Sequence, residues 1–430
     1  MVYVTVFLIT LFLLFILFYI YKTYGFRALF DNPLVLSCYF FMLIHLFLPL
    51  MQWHEGFFRY SNYNEYVYTF SIIYVFLLYL LFSFVFVAFP FNRLSLTEKF
   101  SLNLKNTKRY LVLNWLIFFV GFYFSVGYLF EILKTGLDVF LSDRLAFSDE
   151  GSGFKILLAH WVYIASILFF AGFMVTKYYK KLFLFSFLAT FFYCFLYYGV
   201  NSNRNSIFIL GVTILVLYFI FKRKSYPAKK GKKIFFSLAM IGFVFFFYFV
   251  GKIRNSLKGY NEDTYSFVTS LNGGFGNHEN IVWLLSNDYS LLLGKSYLAS
   301  LLNIIPRAFW ADKPYGAGPE LKNMIYPGSY ILGQEGNSSL TTGFFTEALM
   351  NFGLLGSFVF VLFFSILLFF ILNMVRAVNN FFSQLLYTYL FVLFASQFFY
   401  AEFLGFYTRT LITCIPLFIL AFFINFERKV

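Results

Sequence analysis

The residues best suited to chemistry in this 430-residue chain are five arginines and a few acids that lie in short polar segments between long apolar runs. Arg144, Arg204 (in NSNRNS), Arg254 (GKIRNS), Arg307 (IIPRAFWADKP) and Arg409 (FYTRT) each carry a planar guanidinium, the side chain that best matches phosphate with two parallel hydrogen bonds. Any one of them is equally explained by snorkelling or by pairing with a neighbouring acid. Together, and joined by Lys313 and Asn351, they read as a surface for a pyrophosphate or a glycan. Among the acids, Glu347 in FFTEALMNFGLLG enters a long apolar run, with Asn351 one helical turn later on the same face. A carboxylate there needs a polar partner or accepts a proton, because burying it alone is costly. Structural pairing and general-base catalysis both remain open for it. His278, followed by Glu279 in GGFGNHEN, is the second candidate base near neutral pH, and a functionless loop histidine is an equal reading.

Other chemistries have no signature. The sequence contains neither GxxxxGK[ST] nor a GxGxxG between strand and helix, so an ATP-driven machine is not expected. His45, His54, His160 and His278 are isolated, HExxH and DxD are missing, and the nearest acidic doublet of the late loop is Glu262-Asp263. The expected mechanism is metal-independent and uses no cofactor.

The elements that position these residues follow from composition. Hydrophobic residues make up 61% of the chain and charged ones 12%, whereas soluble proteins carry about 45–50% and about 25%. No water-soluble fold buries that much apolar surface. A hydrocarbon core of about 30 Å needs roughly 20 apolar residues per helix. Eleven runs qualify: 2–21, 33–51, 66–89, 110–130, 156–175, 182–200, 207–221, 234–251, 351–372, 384–400 and 410–425. They are apolar on every face, unlike the alternating segments of a membrane barrel. The expected fold is therefore all-α, a polytopic membrane helix bundle. The first run lacks a basic segment before it and reads as an uncleaved span.

Charge gives the expected orientation. The segments on one side hold 20 basic and 3 acidic residues, and those on the other hold 13 and 16. Positive residues collect on the cytoplasmic side, so the amino terminus is expected outside and the carboxyl terminus inside. The formal charge of +14 thus reports topology rather than nucleic-acid binding. Cys38, Cys194 and Cys414 all sit inside apolar runs, which argues against a disulfide framework.

The expected organisation is a bundle of eight spans (1–251), a large external loop (252–350) and three closing spans (351–430). Residues 131–155 and 296–305 carry helical apolar spacing and read as interfacial helices. Neither a solenoid repeat nor the internal symmetry common in transporters is visible.

The stretch IIPRAFWADKPYGAGPE, followed by SSLTTGFFTEALMNFGLLG and a long apolar span, resembles the bacterial O-antigen polymerase (Wzy-type) or oligosaccharide repeat-unit polymerase family. The NSNRNS turn before a span and the R-x10-G spacing of Arg307 and Gly318 agree with it. The resembling motifs cover about 100 of the 430 residues. The resemblance implies an inner-membrane enzyme with its catalytic face in the periplasm. It transfers a growing glycan from undecaprenyl diphosphate to the non-reducing end of another lipid-linked repeat unit, possessing the bilayer and lipid-linked oligosaccharides as partners and in some systems a chain-length regulator. The arginines then take the diphosphate, and Glu347 or His278 the acceptor proton. The rivals are an O-antigen ligase acting on lipid A-core, a lipid-linked oligosaccharide flippase, and a glycosyltransferase with a polyprenyl-phosphate monosaccharide donor. For the last, acids such as Asp149-Glu150 in the first large external loop are the feature to note.

Overall fold

The computed structural model describes residues 1–26, 28–88, 99–101, 103–136, 152–200, 204–221, 252, 271, 275–305, 310, 313–331, 339–378, 380–424 and 427–429. In chain order its principal helices are α1 (Val2–Tyr24), α2 (Ala28–Asp31), α3 (Pro33–Met42), α4 (Leu48–Glu55), α5 (Glu65–Ala88), α6 (Leu104–Thr135), α7 (Ser152–Ala159) and α8 (Trp161–Val175). They continue with α9 (Lys180–Val200), α10 (Arg204–Phe221), α11 (His278–Ser286), α12 (Lys295–Leu301), α13 (Ala317–Ile325), α14 (Phe344–Ala377), α15 (Phe381–Tyr400) and α16 (Phe403–Phe423). Lipid offers no hydrogen bonds, so an apolar run crosses it only with its backbone satisfied internally, and a helix does that. Among the described residues eight helices are long and apolar enough to span a membrane, with two shorter apolar ones at Asn205–Phe221 and Phe381–Ser396. These correspond to ten of the eleven runs, and the remaining one, 234–251, lies outside the described residues. The fold is an all-α, polytopic membrane helix bundle. Its one described sheet is a three-residue ribbon in which Lys99–Ser101 pairs antiparallel with Glu427–Lys429.

The chain forms two compact units. One contains Met1–Arg93, Phe275–Val378 and Leu390–Leu411, and the other Leu94–Gly274, Asn379–Tyr389 and Ile412–Val430. In the first, α1 buries Val2, Val6, Ile9, Leu13 and Leu17, one stripe at helical spacing, and leaves Phe7, Leu8, Leu11, Phe15 and Phe18 exposed as a lipid-facing surface. Asn32 caps α3 by accepting from Leu34 N, with Pro33 at the first helical position. Between α3 and α4 the helix widens into a π-turn, Leu43–Phe47, closed by Leu48 N donating to Leu43 O. Pro49 explains it: with no N–H it cannot donate to His45 O four residues back, while Pro49 O accepts from Tyr68 Oη at 2.9 Å. Phe41 stacks on Tyr79 with ring centres 4.3 Å apart, and both meet Phe399.

In the second unit α8 packs on both α6 and α9. Close approach is set by small residues: a Cβ on Gly121 collides with the Val162 backbone, and one on Gly172 collides with the Phe183 ring. Polar groups are tied internally. Tyr110 Oη donates to Leu168 O, His160 meets Tyr198, and a chain runs from Thr413 to Tyr389 to Tyr163.

Three boundaries depart from expectation. The ninth span begins at Phe344 rather than 351, and the last at Phe403 rather than 410. Polar residues such as Glu347, Asn351 and Thr408 lower the local hydropathy, yet they are accommodated inside the helices by hydrogen bonds to the protein. Residues 131–135 of the first external stretch continue α6, and 137–151 lie outside the described residues. The helix expected over 296–305 is α12, followed by a 3-10 turn at Leu302–Ile304. Its leucines face outward, with Leu298 and Leu301 about half exposed, while Ser296, Tyr297, Ala299 and Ser300 face in. An apolar outer face and a small polar inner one suit a helix lying at a lipid surface.

Candidate functional site

All the polar assemblies that follow belong to the first compact unit. The first is the start of α11. Glu279 accepts from Gln52 Nε2 (2.5 Å), from the backbone N–H groups of Arg59 (2.6 Å) and Tyr60 (3.0 Å), and from Tyr63 Oη (3.4 Å). Arg59 Nη1 donates to Gly276 O, Tyr60 Oη to Asn280 Oδ1, and Asn280 Nδ2 to Thr341 O. Asn277 Nδ2 donates to Phe399 O (2.9 Å) and Tyr400 O (3.3 Å). The GNHEN turn therefore pins the loop after α4, the segment before α14 and the end of α15 to one another. Burial raises the Glu279 carboxyl above its ordinary range, and the Tyr60, Gln52 and Arg59 donors pull it back.

His278 is 2% exposed and both its ring nitrogens are engaged. Ser71 gives its proton to Tyr68 O at 2.7 Å, so its oxygen accepts from His278 Nε2 at 3.0 Å. That leaves His278 Nδ1 bare, to accept from His45 Nδ1–H at 3.1 Å. Burial pushes the His278 imidazole down to about 3, so it stays neutral at physiological pH. Buried and with both ring nitrogens engaged, this histidine ties α5 and the π-turn after α3 to α11.

The second assembly surrounds Glu347, which is fully buried. Its Oε1 accepts from Ser296 Oγ (2.6 Å) and its Oε2 from Phe403 N (2.7 Å). Asn351, one turn on, donates to Ser296 Oγ and to Glu347 O and accepts from Gly294 N at 2.9 Å. The helix then kinks at Gly353, whose φ of 68° is a left-handed conformation that glycine adopts without strain. The carbonyls freed around the kink find new donors: Leu349 O takes Tyr289 Oη, Met350 O takes Leu292 N, and Asn351 O takes Leu293 N. The pair expected from sequence is thus brought together, and in this arrangement it fastens α12 and α16 to α14.

The third assembly lies along the first two turns of α16. Glu402, immediately before it and partly exposed, accepts from Gly318 N at 2.7 Å through Oε2, in the first turn of α13. A Cβ on Gly316 or Gly318 would press on that same carboxylate, so the glycines of YGAGPE admit it. Lys313, 6% exposed, donates to Asn303 Oδ1 (3.0 Å) and Ile305 O (3.1 Å), and Asn303 in turn donates to Thr408 Oγ1. Burial raises the Glu402 carboxyl, opposed by the Gly318 N–H, and Glu402 lies within electrostatic range of Glu347. Arg409 follows Thr408 on the same helix and is partly exposed.

The structure therefore gathers Glu347 with Asn351, and Lys313 with the α16 helix that carries Arg409. Arg204 opens α10 in the second unit. Arg144, Arg254 and Arg307 lie outside the described residues. Glu402 escaped the sequence reading: it stands alone between two apolar runs, and its signal, a match to the glycines 84 residues earlier, needs the tertiary fold. Among the described residues no three His, Cys, Asp or Glu side chains form a metal-binding group. Comparison with protein-family models, curated proteins and solved structures finds no match.

Proposed function

We propose that this protein is a membrane glycosyltransferase that polymerises undecaprenyl-diphosphate-linked oligosaccharide repeat units into a surface polysaccharide. It works on the periplasmic side of a bacterial inner membrane, with the amino terminus outside. The observation that carries the reading is the third assembly: a carboxylate just before α16, an arginine on that helix, and a buried lysine tied to it through Asn303 and Thr408, in the segment that carries the family-like motif. The exposed leucine face of α12 lies in the same stretch, suited to a polyprenyl tail.

The reaction asks for three things. Two amphiphilic substrates must be aligned, a sugar hydroxyl must lose its proton, and charge must be stabilised on a departing lipid diphosphate. Lys313 and Arg409 supply cations for the diphosphate. Glu347, with both oxygens engaged, holds the scaffold on which they are mounted.

Deleting the gene and displaying the surface glycan on a gel tests the reading. A polymerase leaves core bearing a single repeat unit and no ladder. A bare core with lipid-linked polymer accumulating identifies a ligase instead, and an unchanged ladder removes the protein from glycan assembly altogether.

A further inference from the structure

We propose that Glu402 is the base that takes the proton from the acceptor sugar hydroxyl, a role that rests on the polymerase reading. The inference comes from comparing the carboxylates and imidazoles of the first unit by what their atoms already do. Glu347 is fully buried with each oxygen accepting a hydrogen bond. Glu279 is 3% exposed and accepts four. His278 is 2% exposed with both nitrogens used. All three are buried and their polar atoms are turned to protein partners.

Glu402 differs on each count. One oxygen, Oε2, is anchored by Gly318 N, and among the described residues the other, Oε1, accepts no hydrogen bond. The residue is partly exposed, unlike the other three. A rigid backbone donor on one side and an open oxygen on the other is the arrangement a general base needs, because the anchored half fixes where the free half points. The glycines at 316 and 318 leave the space it occupies. Glu320, also partly exposed, faces Lys295 electrostatically but is tied by no side-chain hydrogen bond among the described residues.

In the reaction Glu402 Oε1 accepts the hydroxyl proton as that hydroxyl oxygen forms a bond to the anomeric carbon of the donor glycan. The bond from that carbon to the diphosphate oxygen breaks, and its electron pair leaves with the lipid diphosphate, which the nearby cations receive. The proton ends on Glu402 and passes to solvent when product departs.

The test uses the full-length protein in lipid nanodiscs, supplied with lipid-linked repeat unit extracted from a strain lacking the gene, and reads chain growth on a gel. Glu402→Gln keeps an oxygen for Gly318 N and therefore the fold, but cannot take a proton. Its turnover is expected to fall by about 10²–10⁴-fold with KM for the repeat unit little changed. Glu320→Gln keeps wild-type turnover. If Glu402 only braced α13, glutamine would serve as well as glutamate, so turnover within about threefold of wild type overturns the proposal. A second variant guards against misfolding: in Gly316→Ala the atoms nearest the added Cβ are the Glu402 carboxylate and the Leu404 side chain rather than backbone, so turnover is expected to fall while melting and gel-filtration profiles stay near wild type; unchanged turnover there also counts against the proposal. Absence of any chain growth by the wild-type protein refutes the polymerase reading itself, whereas growth by wild type and Glu402→Gln alike refutes only the role of Glu402.

Discussion

Removing the Glu279 side chain is expected to loosen the first unit more than any comparable exposed change. In Glu279→Ala four donors lose their acceptor: Gln52 Nε2, the N–H groups of Arg59 and Tyr60, and Tyr63 Oη. Gln52 is 3% exposed, so its amide has no water to turn to and bears most of an unsatisfied-donor cost of about 1–3 kcal/mol. The other three are nearer solvent and lose about half as much each, so the total is about 5 kcal/mol, at the severe end for a single substitution. Glu279→Gln behaves differently. Its oxygen still accepts both backbone N–H groups, and Gln52 can rotate its own oxygen toward the new NH₂, leaving a loss of about 1 kcal/mol from the missing charge. The assay is thermal unfolding of the detergent-purified protein at one heating rate, followed by gel filtration of heated samples. The alanine variant should melt several times further below wild type than the glutamine variant, and Gln52→Ala should cost little once Glu279 is already alanine. Equal shifts for alanine and glutamine, or full additivity with Gln52→Ala, would refute the account of this hub.

Gly343 and Gly328 both have positive φ, 76° and 72°, but only at Gly343 would a Cβ collide with Phe399 O and the Asn277 amide; Gly343→Ala should therefore destabilise strongly in the same melting assay and Gly328→Ala by only about 1–2 kcal/mol. Polymer synthesis should fall as pH drops through the Glu402 pKa, because the base must be ionised. Burial, opposed by the Gly318 N–H, sets that acidic limb above the ordinary carboxylate value of about 4.3, and a rate that stays flat to pH 4 contradicts it. Cysteine placed at exposed Tyr326 should react with an impermeant maleimide in intact spheroplasts, and cysteine at exposed Lys105 only after lysis; the three native thiols are buried and stay silent. The reverse pattern overturns the orientation.

The spans were legible because hydrocarbon forces a helix on any apolar run of sufficient length, and ten of the runs appear where hydropathy puts them. Helix starts such as Phe344 were not, since Glu347 and Asn351 lower the local hydropathy and only the partners Ser296 and Phe403 show how a helix there satisfies them. The Gly353 kink was hidden for a related reason: glycine within a span has several uses, and only the donors supplied by residues 289–293 show which one applies. Glu347 and Asn351 were found as a pair because one helical turn separates them. His278 with His45, 233 residues apart, and Glu402 with Gly318 join only through the tertiary fold, which local periodicity does not carry.

The central claim is that this bundle joins lipid-linked repeat units to one another. The direct measurement incubates purified wild-type protein with undecaprenyl-diphosphate-linked repeat units alone and resolves the products by length. The account predicts a ladder rising by one repeat unit per step, formed without nucleotide sugar or lipid A-core. Repeat units that remain single, or that transfer only when lipid A-core is added, would contradict it.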